Sequence, residues 1–396
     1  MSAGTNTRAM SLSAAVIFLY GTIASLLGTL LPSLSSNFHL TPAQNGYLAA
    51  VQAIGLTLAT LIAGPLMDSK GIKLTLSSGL ALLLVSLLAL VTARDWLMLM
   101  ASIFILGIGS GMAVAAANTL ASEVDESKRT AMVNFANIFF GLGGLATPFV
   151  AANLLAGNPM RLAYLVAALT VAGLLFGVST AMPAGSGQGG FHITAIARIE
   201  RRWLLLVLCA VNFLYAGSEV GFWNWLPKYL MSRGNDQRTA LNILGFGFAC
   251  GMIVGRLLAM QILRRASAIA VCIAGSLAMI VTTFATIHLA NPALATIAVF
   301  CSGVAMGPVF PSTIGITGDA FRRMTATCIG LVITCGWFGA ALTSWLIGRI
   351  AGSDPRRLSQ GLLVIPLSAL FIVVLSFAVR RMLSNRQPVT PEPVVL

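Results

Sequence analysis

The sequence is poor in charge. Of its 396 residues only 9% are charged, where an ordinary soluble domain carries roughly 25%. Hydrophobic residues make up 57% of the chain and mean hydropathy is +0.91. A soluble protein of this size must cover its surface with polar groups, and this chain has too few. That excludes a soluble enzyme, a nucleic-acid binder and a disordered chain. Other chemistries are missing as well. The three histidines, His39, His192 and His288, fall in loops or at span ends and form no metal set. The six cysteines (Cys209, Cys250, Cys272, Cys301, Cys328, Cys335) sit inside apolar runs without short paired spacing. They read as small buried hydrophobes, not as a zinc site or a disulfide framework. No Gly-Lys-Ser/Thr phosphate loop is present, which argues against a nucleotide-driven pump. No Ser/His/Asp or Cys/His arrangement is placed for catalysis, and no cofactor or metal is expected.

Long apolar runs are what the chain does have. A membrane helix needs about 20 mainly apolar residues. The runs predict twelve spans, at about 11–33, 45–67, 74–93, 96–121, 131–155, 161–182, 203–230, 240–263, 267–289, 294–316, 326–350 and 359–380. The first reads as a retained span, because it is too long for a signal peptide's apolar core. Uninterrupted runs also exclude a β-barrel, whose strands alternate every second residue. The stretch from Met182 to Arg202 breaks the texture with Pro183, a Gly/Ser cluster and a basic piece. The expected organisation is therefore an all-α membrane protein: a six-helix half at 1–182, a linker at 183–202 and a second six-helix half at 203–396.

The net charge of +13 does not form one patch. Lys and Arg sit in small clusters between the spans, such as Lys70/Lys73, Arg264/Arg265 and Arg380/Arg381. With the N-terminus inside, cytoplasmic segments and the span ends beside them hold 15, external loops and their span ends hold eight, and Arg256 lies within span 8. This bias predicts both termini in the cytoplasm. A monomer in a bacterial inner membrane is expected, with the lipid bilayer as its solvent and no nucleic-acid partner. The halves also echo each other. Lys128-Arg129-Thr130-Ala131 followed by Gly141 and Gly144 matches Arg322-Arg323-Met324-Thr325-Ala326 followed by Gly336 and Gly339. Such a parallel repeat places a substrate site between the halves near mid-membrane.

Between spans 2 and 3 stands Gly64-Pro65-Leu66-Met67-Asp68-Ser69-Lys70-Gly71-Ile72-Lys73. Gly64 would allow close helix contact, Gly71 a tight turn, and Asp68 can face a helix N-terminus or nearby cations. The segment resembles the loop 2–3 signature of the major facilitator superfamily. The resemblance implies that Gly64, Asp68, Lys70, Gly71 and Lys73 form a gate that helps hold the cytoplasmic side closed. A narrower resemblance, to the fucose–galactose–glucose/proton symporter subfamily, rests on two segments. One is Asn134-x-x-Asn137-x-x-x-Gly141-x-Gly143-Gly144-x-x-x-Pro148, with Asn118 in span 4. The other is Gly217-Ser218-Glu219-Val220-Gly221-Phe222-Trp223-Asn224-Trp225-Leu226 in span 7. One departure is clear: the fucose-type symporter has acids in spans 1 and 4, and here those spans carry none at membrane depth.

Of the eleven acids, Glu219 alone falls in the interior of a span. A charged residue there costs ~2.5–3.5 kcal/mol on insertion scales, so it marks function or a paired structural contact. Asn212, Tyr215, Glu219 and Trp223 recur at helical spacing and share one face of span 7. Aromatic platforms, amides and one titratable acid suit a hydroxylated solute and a proton. Arg256 is either the partner of Glu219 or a snorkelling cation. Gln52, Asn118, Asn134, Asn137, Asn224 and Trp337 join the expected substrate-binding set, with Tyr20 beside them. The expected function is secondary transport of a small polar solute such as a sugar, by alternating access, with Glu219 coupling it to protons. The alternative is proton-driven efflux of amphipathic compounds on the same fold.

Overall fold

A computed structural model describes residues 3–124, 129–155, 158, 160–182, 201–321 and 325–384. Among the described residues, twelve helices are long and apolar enough to cross a membrane. They are α1 (Ala3–Phe38), α2 (Pro42–Lys70), α3 (Ile72–Thr92), α4 (Trp96–Val124), α5 (Arg129–Asn153) and α6 (Arg161–Ser179). Then follow α7 (Arg202–Ser232), α8 (Gln237–Ile262), α9 (Ala268–His288), α10 (Pro292–Ala320), α11 (Thr325–Ala351) and α12 (Pro355–Ser384). Helices serve here because each satisfies its own backbone polar groups, which lipid cannot do. Of the expected linker at 183–202, residues 183–200 lie outside the described residues.

Several helices run past their apolar runs, because polar residues at the ends cap them. Thr41 and Gln44 form a capping box that starts α2, and Asp236, Ser267 and Asn291 cap α8, α9 and α10. Two helices are interrupted. In α8, Ile243–Ala249 widens into a π-helical turn, a feature that collects at functional sites. In α10, the turn at Gly307–Pro308 splits the helix, since proline offers no N–H to continue it.

The first six helices share one apolar core, built on Leu27, Leu80, Leu106 and their neighbours. The last six share another, built on Phe222, Phe248 and Val332. Within the first half α1 packs on α5, α2 on α4 and α3 on α6; within the second, α7 packs on α11, α8 on α10 and α9 on α12. The repeat read in the sequence is thus a repeat of packing. Its register differs by one residue. The loop motifs set Gly144 against Gly339, but the packing equivalent of Gly339 is Gly143. A Cβ added at Gly143 would run into the carbonyl oxygen of Phe18 on α1, and one at Gly339 into that of Phe213 on α7. Backbones this close leave no room for any side chain.

Candidate functional site

Glu219 stands midway along α7 with its side chain 14% exposed, and Oε1 lies 3.9 Å from Nη2 of Arg256 on α8. This is an ion pair without a direct hydrogen bond. Its attraction is about 4 kcal/mol at the effective dielectric that suits protein sites. The Arg256 guanidinium sits over the Phe140 ring of α5, 5.8 Å from its centroid. Phe140 in turn lies 5.4 Å from the ring of Tyr20 on α1. Tyr20 and Tyr215 are both within electrostatic reach of Glu219. Two charged residues of the second half and two aromatic residues of the first therefore meet at the boundary between the halves. Arg256 Nε is buried with no hydrogen-bond partner among the described residues. A guanidinium donor left open beside a carboxylate can bind a hydroxyl or a water.

Above this cluster, away from the N-terminus, the boundary closes. Trp223 stacks edge-on against Phe248 at 5.1 Å, and its ring edge abuts α5 where a Cβ at Gly144 would lie 3.5 Å from it. Phe149 of α5 meets Phe246 in the π-helical turn of α8 at 5.6 Å. Beyond these rings comes a layer of polar links between the halves. Lys228 donates to Ser35 Oγ (2.7 Å), Gln237 to Ser33 Oγ (3.0 Å), Asn153 to Asn242 Oδ1 (2.8 Å), and Arg238 to Asn153 Oδ1. The Ala43 N–H also donates to the Gly352 carbonyl at 3.1 Å. All of these join helix ends on the face opposite the N-terminus, here the far face.

On the N-terminal face the picture changes. Helices α2 and α11 touch from Gly46, against Ser344 and Gly348, down to Ala53 beside Ala340, Ala341 and Trp337. Further down, a Cβ at Gly64 or at Gly330 would meet no atom within 4 Å. Gly64 is thus not in the close helix contact expected of it: its Cα faces open space. Gly71 takes φ 89° and makes the turn between α2 and α3. Lys73 Nζ donates to the Val178 carbonyl at 2.7 Å, tying α3 to the end of α6. Asp68 and Lys70 are exposed.

The other expected solute residues divide into three groups. Asn137 Nδ2 donates to Asn118 Oδ1 (2.9 Å) and to the Val133 carbonyl, while Asn118 Nδ2 donates to the Val114 carbonyl. The two half-buried amides thereby link α4 to α5. Asn134 is on α5, and its side chain lies outside the described residues. Trp337 and Val220 pack on the small cluster of Ala50, Ala53, Ala340 and Ala341, with half-buried Gln52 next in sequence on α2. The third group is enclosed. Asn212 is buried and donates to the Val332 carbonyl at 2.8 Å; Tyr215 is fully buried and donates to the Met306 carbonyl at the break in α10. Asn224 is buried where α7 crosses Gly28 of α1. The stripe Asn212–Tyr215–Glu219–Trp223 does exist, but it meets α11, α10, α8 and α5 in turn as α7 rises. One helical face therefore serves packing at its base and the boundary at its top.

Sequence reasoning missed Phe140 altogether, since a phenylalanine in an apolar span carries no signal. It also missed the Ser33, Ser35, Asn153 and Asn242 links. Lys228, a cation inside the apolar run ending α7, was the one available clue.

A sequence model of the Major Facilitator Superfamily matches residues 13–344. The glucose/mannose transporter GlcP of Bacillus subtilis (strain 168) is 26% identical over 380 residues, 93% of each chain. Among solved structures, a variant of the nucleoside transporter NupG superposes with a TM-score of 0.77 at 15% identity, covering 96% of this chain and 99% of that one. A variant of the E. coli fucose:proton symporter FucP gives 0.65 at 18% identity, covering 93% and 98%. At such identities the structural likeness speaks for the fold. Together with the twelve apolar helices and their two matching halves, the sequence match shows that the chain belongs to the major facilitator superfamily and is a multi-pass membrane transporter, not an enzyme.

Proposed function

We propose that the chain carries a small hydroxylated solute of the sugar class across the membrane, coupled to protons at Glu219. The observation that carries this reading is the Glu219–Arg256 pair at the boundary between the halves. A buried carboxylate beside a cation has two states: ionised and paired, or protonated with the arginine released. The arginine can then turn its donors to a solute hydroxyl. The aromatic faces of Tyr20, Phe140 and Trp223 offer the apolar side of a sugar ring a surface, and the Asn118–Asn137 pair, Gln52 and Trp337 offer further contacts. Amides and rings of this kind favour a polar solute over an amphipathic one. The similarity to a glucose/mannose transporter supports the same class.

The positive charge of the N-terminal face supports placing that face in the cytoplasm, in a bacterial inner membrane. On that reading the far-face links form the external seal, and the open space beside Gly64 and Gly330 faces the cytoplasm. Residues 1–182 and 203–396 rock about the Glu219 cluster, joined by the linker between them, and Asp68 engages when the cytoplasmic side closes. The test is a thermal-shift screen of hexoses, pentoses and nucleosides on the purified protein, followed by proteoliposome uptake of the hits with and without a pH gradient. A hexose that both stabilises the protein and accumulates only with the gradient is the expected result. Stabilisation by amphipathic cations, with no sugar transported, would overturn it.

A further inference from the structure

Away from the boundary, on the outer wall of the first half, a cavity of about 460 Å³ opens at the far face. It lies among the end of α1 (Asn37, Phe38), the end of α3 and the residues just after it (Leu90, Val91, Ala93, Arg94), and the start of α6 with the residues just before it (Asn158, Met160, Arg161, Tyr164). Each of its polar side chains offers a donor. Arg94 and Arg161 supply two guanidinium groups, Asn37 and Asn158 two amides, and Tyr164 a hydroxyl. Among the described residues no carboxylate lines it. The nearest acid by sequence, Asp95, is turned to α4, where its Oδ1 accepts the Met98 N–H at 2.8 Å. Two like charges sharing one cavity without a counter-charge repel each other, and an anion between them relieves that cost. A planar guanidinium fork fits the oxygens of a phosphate.

The position narrows the source of that phosphate. All three helix ends lie at the depth where the apolar wall meets water, which is headgroup depth. Phe38, Leu90 and Val91 give the cavity an apolar floor. On two of these helices, α3 and α6, further into the membrane, Leu88, Leu165 and Leu169 are each nearly half exposed, a surface suited to acyl chains. We infer that this cavity binds a phosphate group, carried by an anionic phospholipid of the far leaflet. The site is separate from the solute site and holds whatever the solute proves to be.

The test uses the full chain in dodecyl maltoside, melted with added dioleoylphosphatidylglycerol, dioleoylglycerol or inorganic phosphate. The phospholipid should raise Tm by several degrees and the phosphate-free lipid should not. R94Q/R161Q should lose most of that rise, whereas R94K/R161K, which keeps both charges, should retain part of it. Retention of phospholipid by the wild-type protein in native mass spectrometry gives a second readout that needs no variant. If inorganic phosphate reproduces the rise, the phosphate site stands and the lipid source falls. Equal stabilisation by both lipids, or a rise unchanged in R94Q/R161Q, would overturn the site itself.

Discussion

A carboxylate in the middle of an apolar helix is stable only if something answers its charge. Here Arg256 answers it from 3.9 Å, and the guanidinium is itself held over Phe140 of the opposite half. Any motion between the halves must therefore change the environment of the pair. That is why Glu219, not the enclosed Tyr215 or Asn212, carries the functional proposal. Of these residues Glu219 was legible in the sequence, because an acid at membrane depth is rare and costly. Asn212 and Tyr215 look equally functional in a one-dimensional pattern, yet both are buried within the second half, where the Asn212 amide donates to the Val332 carbonyl and the Tyr215 hydroxyl to the Met306 carbonyl. Spacing gives the face of a helix but not which neighbour the face meets. The amide pair makes a separate prediction. Asn137 spends its amide on both Asn118 and the Val133 carbonyl, so N137A removes the link between α4 and α5. A loss near 1.4 kcal/mol corresponds to a tenfold change. Solute KM should rise roughly tenfold in transport assays, with Tm little changed. An unaltered KM would remove the amides from the solute site.

At the scale of elements, the twelve spans were legible because lipid demands long apolar helices, and their ends were not, because caps such as Thr41–Gln44 act outside the apolar run. The π-helical turn of α8 and the break in α10 were also beyond reach. Glycine and proline at those positions permit either a kink or a continuous helix, and packing decides. Close backbone contact gives a clear prediction here. Gly339 faces the Phe213 carbonyl with no space for a methyl group, so G339A must push α11 away from α7. Overpacking of this kind costs about 1–3 kcal/mol. The melting temperature in detergent should fall by several degrees, whereas G330A, in open space, should leave it unchanged. Equal melting of both variants would contradict the packing described here.

At the scale of the molecule, two matched halves meet at a mid-depth cluster and are tied together on the far face. The segment 64–73 is remote from those ties, and Asp68 stands exposed. Alternating access requires the far-face links to break once in each cycle. Asn153 and Asn242 are hydrogen bonded across the halves at 2.8 Å, so a disulfide formed between N153C and N242C would hold the far face shut. Transport should stop on oxidation and return with reductant, while solute binding persists. Transport that continues through a fully formed crosslink would mean that the seal is not a moving part. If Glu219 couples the solute to protons, E219Q in proteoliposomes separates binding from coupling. Solute exchange at equal pH on both sides should survive in this variant while accumulation driven by a pH gradient falls at least tenfold. Accumulation at the wild-type level in E219Q would contradict it.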